Sequence, residues 1–168
     1  MAGQPARRSM QGMDTEECSL CKDSLHRFCR SAVLRTTCCG KALHQTCRDN
    51  VLTSSMTDHQ KRRCIMCRSV YPMSEEESVA QLRPWVEKGK AWAQNMLGGM
   101  YVRGGNLRQA RQLWELAARQ GHANAQYNLG CMHERGHGVV RSFEKASDYY
   151  QAAGAGAAQA RCMLHATL

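Results

Sequence analysis

Residues 18–67 read CSLCKDSLHRFCRSAVLRTTCCGKALHQTCRDNVLTSSMTDHQKRRCIMC and hold eight of the ten cysteines in a chain of 168 residues. The cysteines fall in pairs: Cys18 with Cys21, Cys38 with Cys39, Cys64 with Cys67, and Cys47 three residues after His44. Cys29 stands between the first two pairs. A C-x2-C at each end, with a CC and an H-x2-C between them, has the ligand number and spacing of a two-zinc module. Two side chains on a tight knuckle reach one tetrahedral Zn²⁺, and a second pair closes the site. So short a segment has little area for a core, so metal is expected to supply much of its folding free energy.

Composition divides the chain. Cysteine is concentrated before Pro72, whereas residues 89–168 are rich in Ala, Gly, Leu and Met and contain only Cys131 and Cys162. No apolar run is long enough to span a bilayer, and the first residues, MAGQPARRSMQGMDTEE, lack the apolar core of a signal peptide. An intracellular setting, cytoplasmic or nuclear rather than secreted, is therefore expected, with thiolates on metal rather than disulfides. The formal charge is +9. Seven thiolate ligands and two Zn²⁺ would lower it to about +6. That excess is spread along both halves and is weak support for a nucleic-acid partner.

Residues 1–13 show no periodicity and read as a disordered tail. Ser74 can cap a helix and Glu77 can reach back to its start, while Pro84 is expected to kink or end it. Residues 73–88 are thus a helical connector. An internal repeat follows. Residues 89–104, GKAWAQNMLGGMYVRG, align with residues 121–136, GHANAQYNLGCMHERG, at nine of sixteen identical positions. Ala110, Leu113, Trp114 and Ala117 then correspond to Ala146, Tyr149, Tyr150 and Ala153, and a third copy begins at Gly156. Ala93/Met96/Leu97/Met100 and Ala110/Leu113/Trp114/Ala117 carry the helical i, i+3, i+4, i+7 stripe. Two helices in each period of thirty-odd residues indicate an αα-hairpin solenoid. Asn106 and Ser142 are the expected N-caps, and Trp114 or Tyr150 is expected to fill space between hairpins. Trp92, Trp114, Tyr149 and Tyr150 read as repeat core.

This repeat resembles Sel-one-like repeats, relatives of the tetratricopeptide repeats, over residues 89–168. The resemblance implies a surface that binds a protein substrate or adaptor, and no catalytic residues. The segment from Cys18 to Arg68 resembles a RING-type zinc finger. In that family the first ligand pair joins the third and the second joins the fourth. The resemblance implies a first site of Cys18, Cys21, His44 and Cys47, and a second of Cys38, Cys39, Cys64 and Cys67. Lys41 stands where a ligand is expected, and the adjacent Cys38 is its natural replacement. Adjacent cysteines are a tighter geometry than C-x2-C, so the second site is expected to be the weaker. A competing grouping takes Cys18, Cys21, His26 and Cys29 as a zinc knuckle and leaves His44, Cys47, Cys64 and Cys67 as the other site. It ranks second because it leaves Cys38 and Cys39 unused and abandons the resemblance. The remaining histidines, His59, His122, His133, His137 and His165, read as ordinary surface or core residues.

The expected architecture is a small zinc-stabilised α+β (RING-like) domain over residues 14–72, the connector, and an all-α αα-hairpin solenoid over 89–168. RING modules recruit a ubiquitin-conjugating enzyme and act by positioning, without a nucleophile. The resemblance gives Leu20 and Arg68 as the contacts with that enzyme. Ile65 replaces the family's usual proline, and no Trp lies between Cys47 and Cys64. A zinc-stabilised interaction scaffold is the alternative. A zinc-dependent nucleic-acid binder ranks third, because Lys61-Arg62-Arg63 lacks interleaved aromatics.

Overall fold

The computed structural model describes residues 17–22, 33–53 and 56–154. Among them the chain is mostly helical, with one two-stranded sheet. The expectations for the N-terminal tail, for His26 and Cys29, and for the third repeat copy with Cys162 and His165 lie outside the described residues. The chain divides into two compact units, Met1–Arg35 with Lys41–Met56, and Thr36–Gly40 with Thr57–Leu168. The division runs through the cysteine-rich segment.

In the first unit β1 (Val33–Arg35) pairs antiparallel with β2 (Ala42–His44), Leu34 opposite Leu43. All three β2 residues are buried, and among the described residues they form the core of this unit together with Cys18. Helix α1 (Gln45–Leu52) starts directly after β2, with His44 as its N-cap.

The second unit opens on the Thr36–Gly40 turn, closed by the Gly40 amide on the Thr36 carbonyl at 2.8 Å. Helix α2 (Asp58–Lys61) is one turn, held by a capping box in which Thr57 and Gln60 satisfy each other's backbone N–H groups. Helix α3 (Glu75–Glu87) begins at Ser74, whose hydroxyl accepts from the Glu77 amide at 3.2 Å. The Glu77 carboxylate reaches back one residue further than in a capping box, to the Met73 amide at 2.8 Å. Of the two expected effects of Pro84, it does not end this helix, which runs on to Glu87 within the expected connector. Proline forfeits the bond to the carbonyl four residues before it, but Pro84 and Ala80 both lie on the exposed face, where water can serve that carbonyl.

Four helices follow: α4 (Ala91–Arg103), α5 (Leu107–Arg119), α6 (Ala123–Arg135) and α7 (Phe143–Ala153). They form two hairpins, α4 with α5 and α6 with α7. Asn106 and Ser142 cap the second helix of each, accepting from the Gln109 and Lys145 amides at 3.3 Å. The turn before α7 is longer than that before α5, and Gly136 leaves α6 in the left-handed conformation (φ 74°) that a non-glycine residue adopts only at a cost.

Small residues decide how each hairpin closes. A Cβ on Gly98 would sit 2.5 Å from Trp114 Nε1, and one on Gly130 would sit 2.5 Å from Tyr150 Cε1. Each ring therefore lies against a glycine of its own hairpin. Trp114 also belongs to the buried cluster that joins the hairpins, with Ala117, Ala125, Leu129 and Met132. Burial of a side chain of this size contributes about 3 kcal/mol, and the Trp114 Nε1–H donates to the Asn95 carbonyl at 3.1 Å. Between hairpins, buried Asn128 donates to the Asn95 side chain at 3.2 Å. A second cluster, built on Leu82, Ala93, Leu97 and Met100, packs α3 over α4 with Val79, Trp85 and Val86 at its edge. Among the described residues no helix is long and apolar enough to cross a membrane.

Candidate metal centre

Two knuckles with the same backbone carry the terminal cysteine pairs. In the first, the Lys22 amide donates to the Cys18 carbonyl at 2.9 Å, and Lys22 is left-handed (φ 67°). In the second, the Arg68 amide donates to the Cys64 carbonyl at 2.8 Å, and Arg68 is left-handed (φ 66°). These are the positive-φ residues other than glycine among those described. Each knuckle is anchored by one further backbone bond, Ser19 to the Ala42 carbonyl at 3.0 Å and Cys64 to the Ser69 carbonyl at 2.8 Å. The turn makes both thiols of a pair point the same way, as chelation requires.

The first cluster brings together Cys18, Cys21, His44 and Cys47, with one ligand atom from each within 4.8 Å of all the others. The boundary of β2 and α1 explains the second pair: His44 caps α1 and Cys47 lies in its first turn, so the two side chains share a face. His44 Nδ1 is 3.4 Å from Cys21 Sγ and 3.8 Å from Cys47 Sγ. Cys18 is fully buried. Burial pushes its thiol up, but N–H groups of Cys21, His44 and Leu20 outweigh that and bring it down to about 6.

The second cluster brings together Cys38, Cys39, Cys64 and Cys67, again within 4.8 Å. Cys39 Sγ is 3.9 Å from Cys64 Sγ, and Cys67 Sγ is 3.4 Å from Cys38 Sγ. Burial first, then the neighbouring Cys67 and Cys64, pushes the Cys38 thiol up. Cys67 is exposed, and Ser69, through its hydroxyl and backbone N–H, lowers its thiol to about 6.

The donor sets fit zinc. Zn–S of about 2.3 Å and Zn–N of about 2.1 Å in a tetrahedron set ligand atoms roughly 3.6–3.8 Å apart. The contacts of 3.4–3.9 Å bracket that spacing in both clusters. No described cysteine is in a disulfide. In zinc-bound form, His44 would ligate through Nδ1, leaving its buried Nε2 to carry the proton. The competing grouping is not the one assembled, since His44 and Cys47 lie with Cys18 and Cys21.

The other singled-out residues are placed as follows. Leu20 is half-buried in the first knuckle, Arg68 is exposed after the second, and Lys41 is exposed. His59 is exposed, His122 caps α6 through Nδ1, and His133 stacks on Tyr149. Cys131 is buried in the repeat core beside the Tyr150 hydroxyl. In the basic stretch Lys61 pairs with Asp58 at 3.6 Å and Arg63 donates to the Arg68 carbonyl at 3.2 Å. Spacing gave no sign of Thr36, whose hydroxyl is 3.1 Å from Cys39 Sγ, or of Thr37, Gln81 and Trp85 behind the second cluster.

The family model of the Sel1 repeat matches residues 93–122 and 123–156. Residues 93–156 thus match the Sel1 repeat twice. The boundaries of the two matches follow the two hairpins, α4–α5 and α6–α7. No curated protein matches the chain. Sel1 repeats generally mediate protein–protein interaction, and the same chain carries two cysteine clusters able to hold metal ions.

Proposed function

We propose that the protein is a RING-type ubiquitin ligase or ligase subunit: residues 14–72 recruit a ubiquitin-conjugating enzyme, and the repeats hold a protein substrate or adaptor. The observation that carries this reading is the interleaving of the clusters, first pair with third and second pair with fourth. Sequential zinc knuckles do not produce it. Cys18, Cys21, His44 and Cys47 would hold one Zn²⁺, and Cys38, Cys39, Cys64 and Cys67 the other. Both ions would be structural, because each set supplies four protein ligands and leaves no open position for a water or substrate. Half-buried Leu20 would pack on the conjugating enzyme, and exposed Arg68 would donate to enzyme and ubiquitin together. The transfer chemistry would then belong to the partner's thioester, with this chain holding it in a reactive geometry. Such a role places the protein inside the cell, in cytoplasm or nucleus.

The test is autoubiquitination against a panel of conjugating enzymes. The wild type is expected to form chains with at least one, and Leu20→Ala is expected to lose them while retaining two zinc ions. A zinc-stabilised interaction scaffold is the second reading, favoured by Ile65 in place of the family's proline. A wild type that binds two zinc ions but is inactive with every enzyme would select it.

A further inference from the structure

Both halves of the second cluster are fastened to the same helix. Gln81 of α3 accepts from the Thr37 hydroxyl at 2.5 Å, one residue before Cys38. Its amide nitrogen donates to the Val70 carbonyl at 3.3 Å. Val70 bridges to Arg63, the residue before Cys64, so this second bond reaches the other cysteine pair. One turn further along α3, Trp85 Nε1 donates to the Thr37 carbonyl at 2.9 Å. The Trp85 ring and that of Trp92 lie over Gly40, where a Cβ would meet each at 3.2 Å. A single side-chain amide thus ties the Cys38/Cys39 turn to the Cys64/Cys67 knuckle, and one indole clamps the turn from behind.

The adjoining face of α3, whose edge Trp85 shares, has a different task. Leu82 is fully buried against Ala93, Leu97 and Met100 of α4, and Val79 and Val86 extend that contact. Gln81 and Trp85 flank Leu82 in the sequence, so the same two turns of helix serve the cluster and the repeat core.

We propose that Gln81 and Trp85 are positioning residues for metal at the second cluster, and that this metal in turn holds α3 on the first Sel1 repeat. The proposal rests on the metal-binding part of the functional reading and is independent of ligase activity. Outer partners of this kind hold ligands in the bound geometry, and their loss typically costs about 10–100-fold in metal affinity. Two of the bonds lie on Thr37, next to Cys38, and the third on Val70, whose bridge partner Arg63 precedes Cys64, so they set where the thiols stand before metal arrives. Coupling also works in reverse: whatever releases the metal frees the Thr36–Gly40 turn, and with it the polar anchor of α3.

The experiment uses the full chain loaded with Zn²⁺, and with Co²⁺ as the spectroscopic probe. Gln81→Met keeps length and packing but removes both hydrogen bonds. Trp85→Phe keeps an aromatic ring and removes the donor. The double variant is expected to bind its first zinc as the wild type does and its second about 10–100-fold more weakly. The Co²⁺ absorption of the four-thiolate site should shift while that of the histidine-containing site does not. Arg83→Ala, on the exposed face of the same helix, should change neither. Hydrogen exchange supplies the reverse reading: removing the second zinc should deprotect amides of α3 and leave α5 and α6 protected. Equal second-zinc affinity in double variant and wild type would overturn the proposal, as would unchanged α3 protection on metal removal. A wild type that holds one zinc would overturn the metal reading itself. Two tightly held zinc ions without ligase activity would leave this proposal standing and remove only the ligase reading.

Discussion

The two cysteine clusters share a knuckle and differ in what completes it. In the first, the completing pair is His44 and Cys47, spaced by a helical turn at the start of α1. In the second it is Cys38 and Cys39, adjacent in a turn with no helix to space them. The helix positions its ligands through its own backbone, whereas the turn borrows its geometry from Gln81 and Trp85 of α3. A ligand pair can therefore be set by local secondary structure or by distant side chains. The first arrangement ties its cluster to β2 and α1, and the second ties its cluster to α3.

The sharpest way to break this comparison is to remove one ligand from each cluster. Cys64→Ser is expected to lose one zinc and to lower the stability of the helical unit by about 4 kcal/mol, in the range typical of a lost structural metal. Cys18→Ser should lose the other zinc while the repeat helices melt as in the wild type. Zinc counting with calorimetry checks both, and equal losses would show that the clusters are not distinguished in this way. Gly40→Ala probes the borrowed geometry alone. It adds a methyl at φ +67° between two indoles, at an expected cost of about 2 kcal/mol, with the second zinc weakened and the first unchanged.

The knuckles themselves should respond alike. Lys22→Gly and Arg68→Gly each relieve a left-handed residue, and after the entropy of the added glycine a gain of about 0.5 kcal/mol is expected from both. Denaturant melts would detect it, and under the proposed ligase reading only Arg68→Gly should also reduce ubiquitin transfer. The smallest effect is one of reactivity. In the metal-free chain, exposed Cys67, held near 6, should alkylate readily at pH 7, with the rate falling as pH drops through about 6 and the thiolate is protonated. Cys18 sits equally low but is fully buried, so it should react much more slowly. Peptide mass spectrometry after brief iodoacetamide treatment separates them.

The repeats were legible in the sequence because their signal is periodic. The alanine and leucine stripes mark the faces that are buried, and Asn106 and Ser142 sit where capping chemistry puts them. The grouping of the cysteines came from resemblance rather than spacing, which also left open the lower-ranked His26 and Cys29 alternative. Pro84 left open whether the helix would continue, because a local rule against proline in helices takes no account of which face it occupies. Gln81 and Trp85 were invisible for another reason. Their bonds to Thr37 span 44 and 48 residues, and nothing in a glutamine or a tryptophan on a helix announces so distant a partner. The seating of Trp114 on Gly98 was hidden likewise, since the glycine reads as a weak helix residue until the ring above it is known.

That pairing of aromatic with glycine gives the molecule a natural optical partition. The first hairpin uses Trp114 where the second uses Tyr150, and the other two of the chain's three tryptophans are Trp85 and Trp92. All indole emission therefore originates in α3, α4 and α5, while α6 and α7 are seen only through tyrosine. Trp114, with no exposed surface, should emit at short wavelength and resist quenching by iodide. The half-buried pair beside Gly40 should answer to the quencher and to the metal. Without any label, one chain thus reports separately on its repeat core and on the place where that core meets the second cluster.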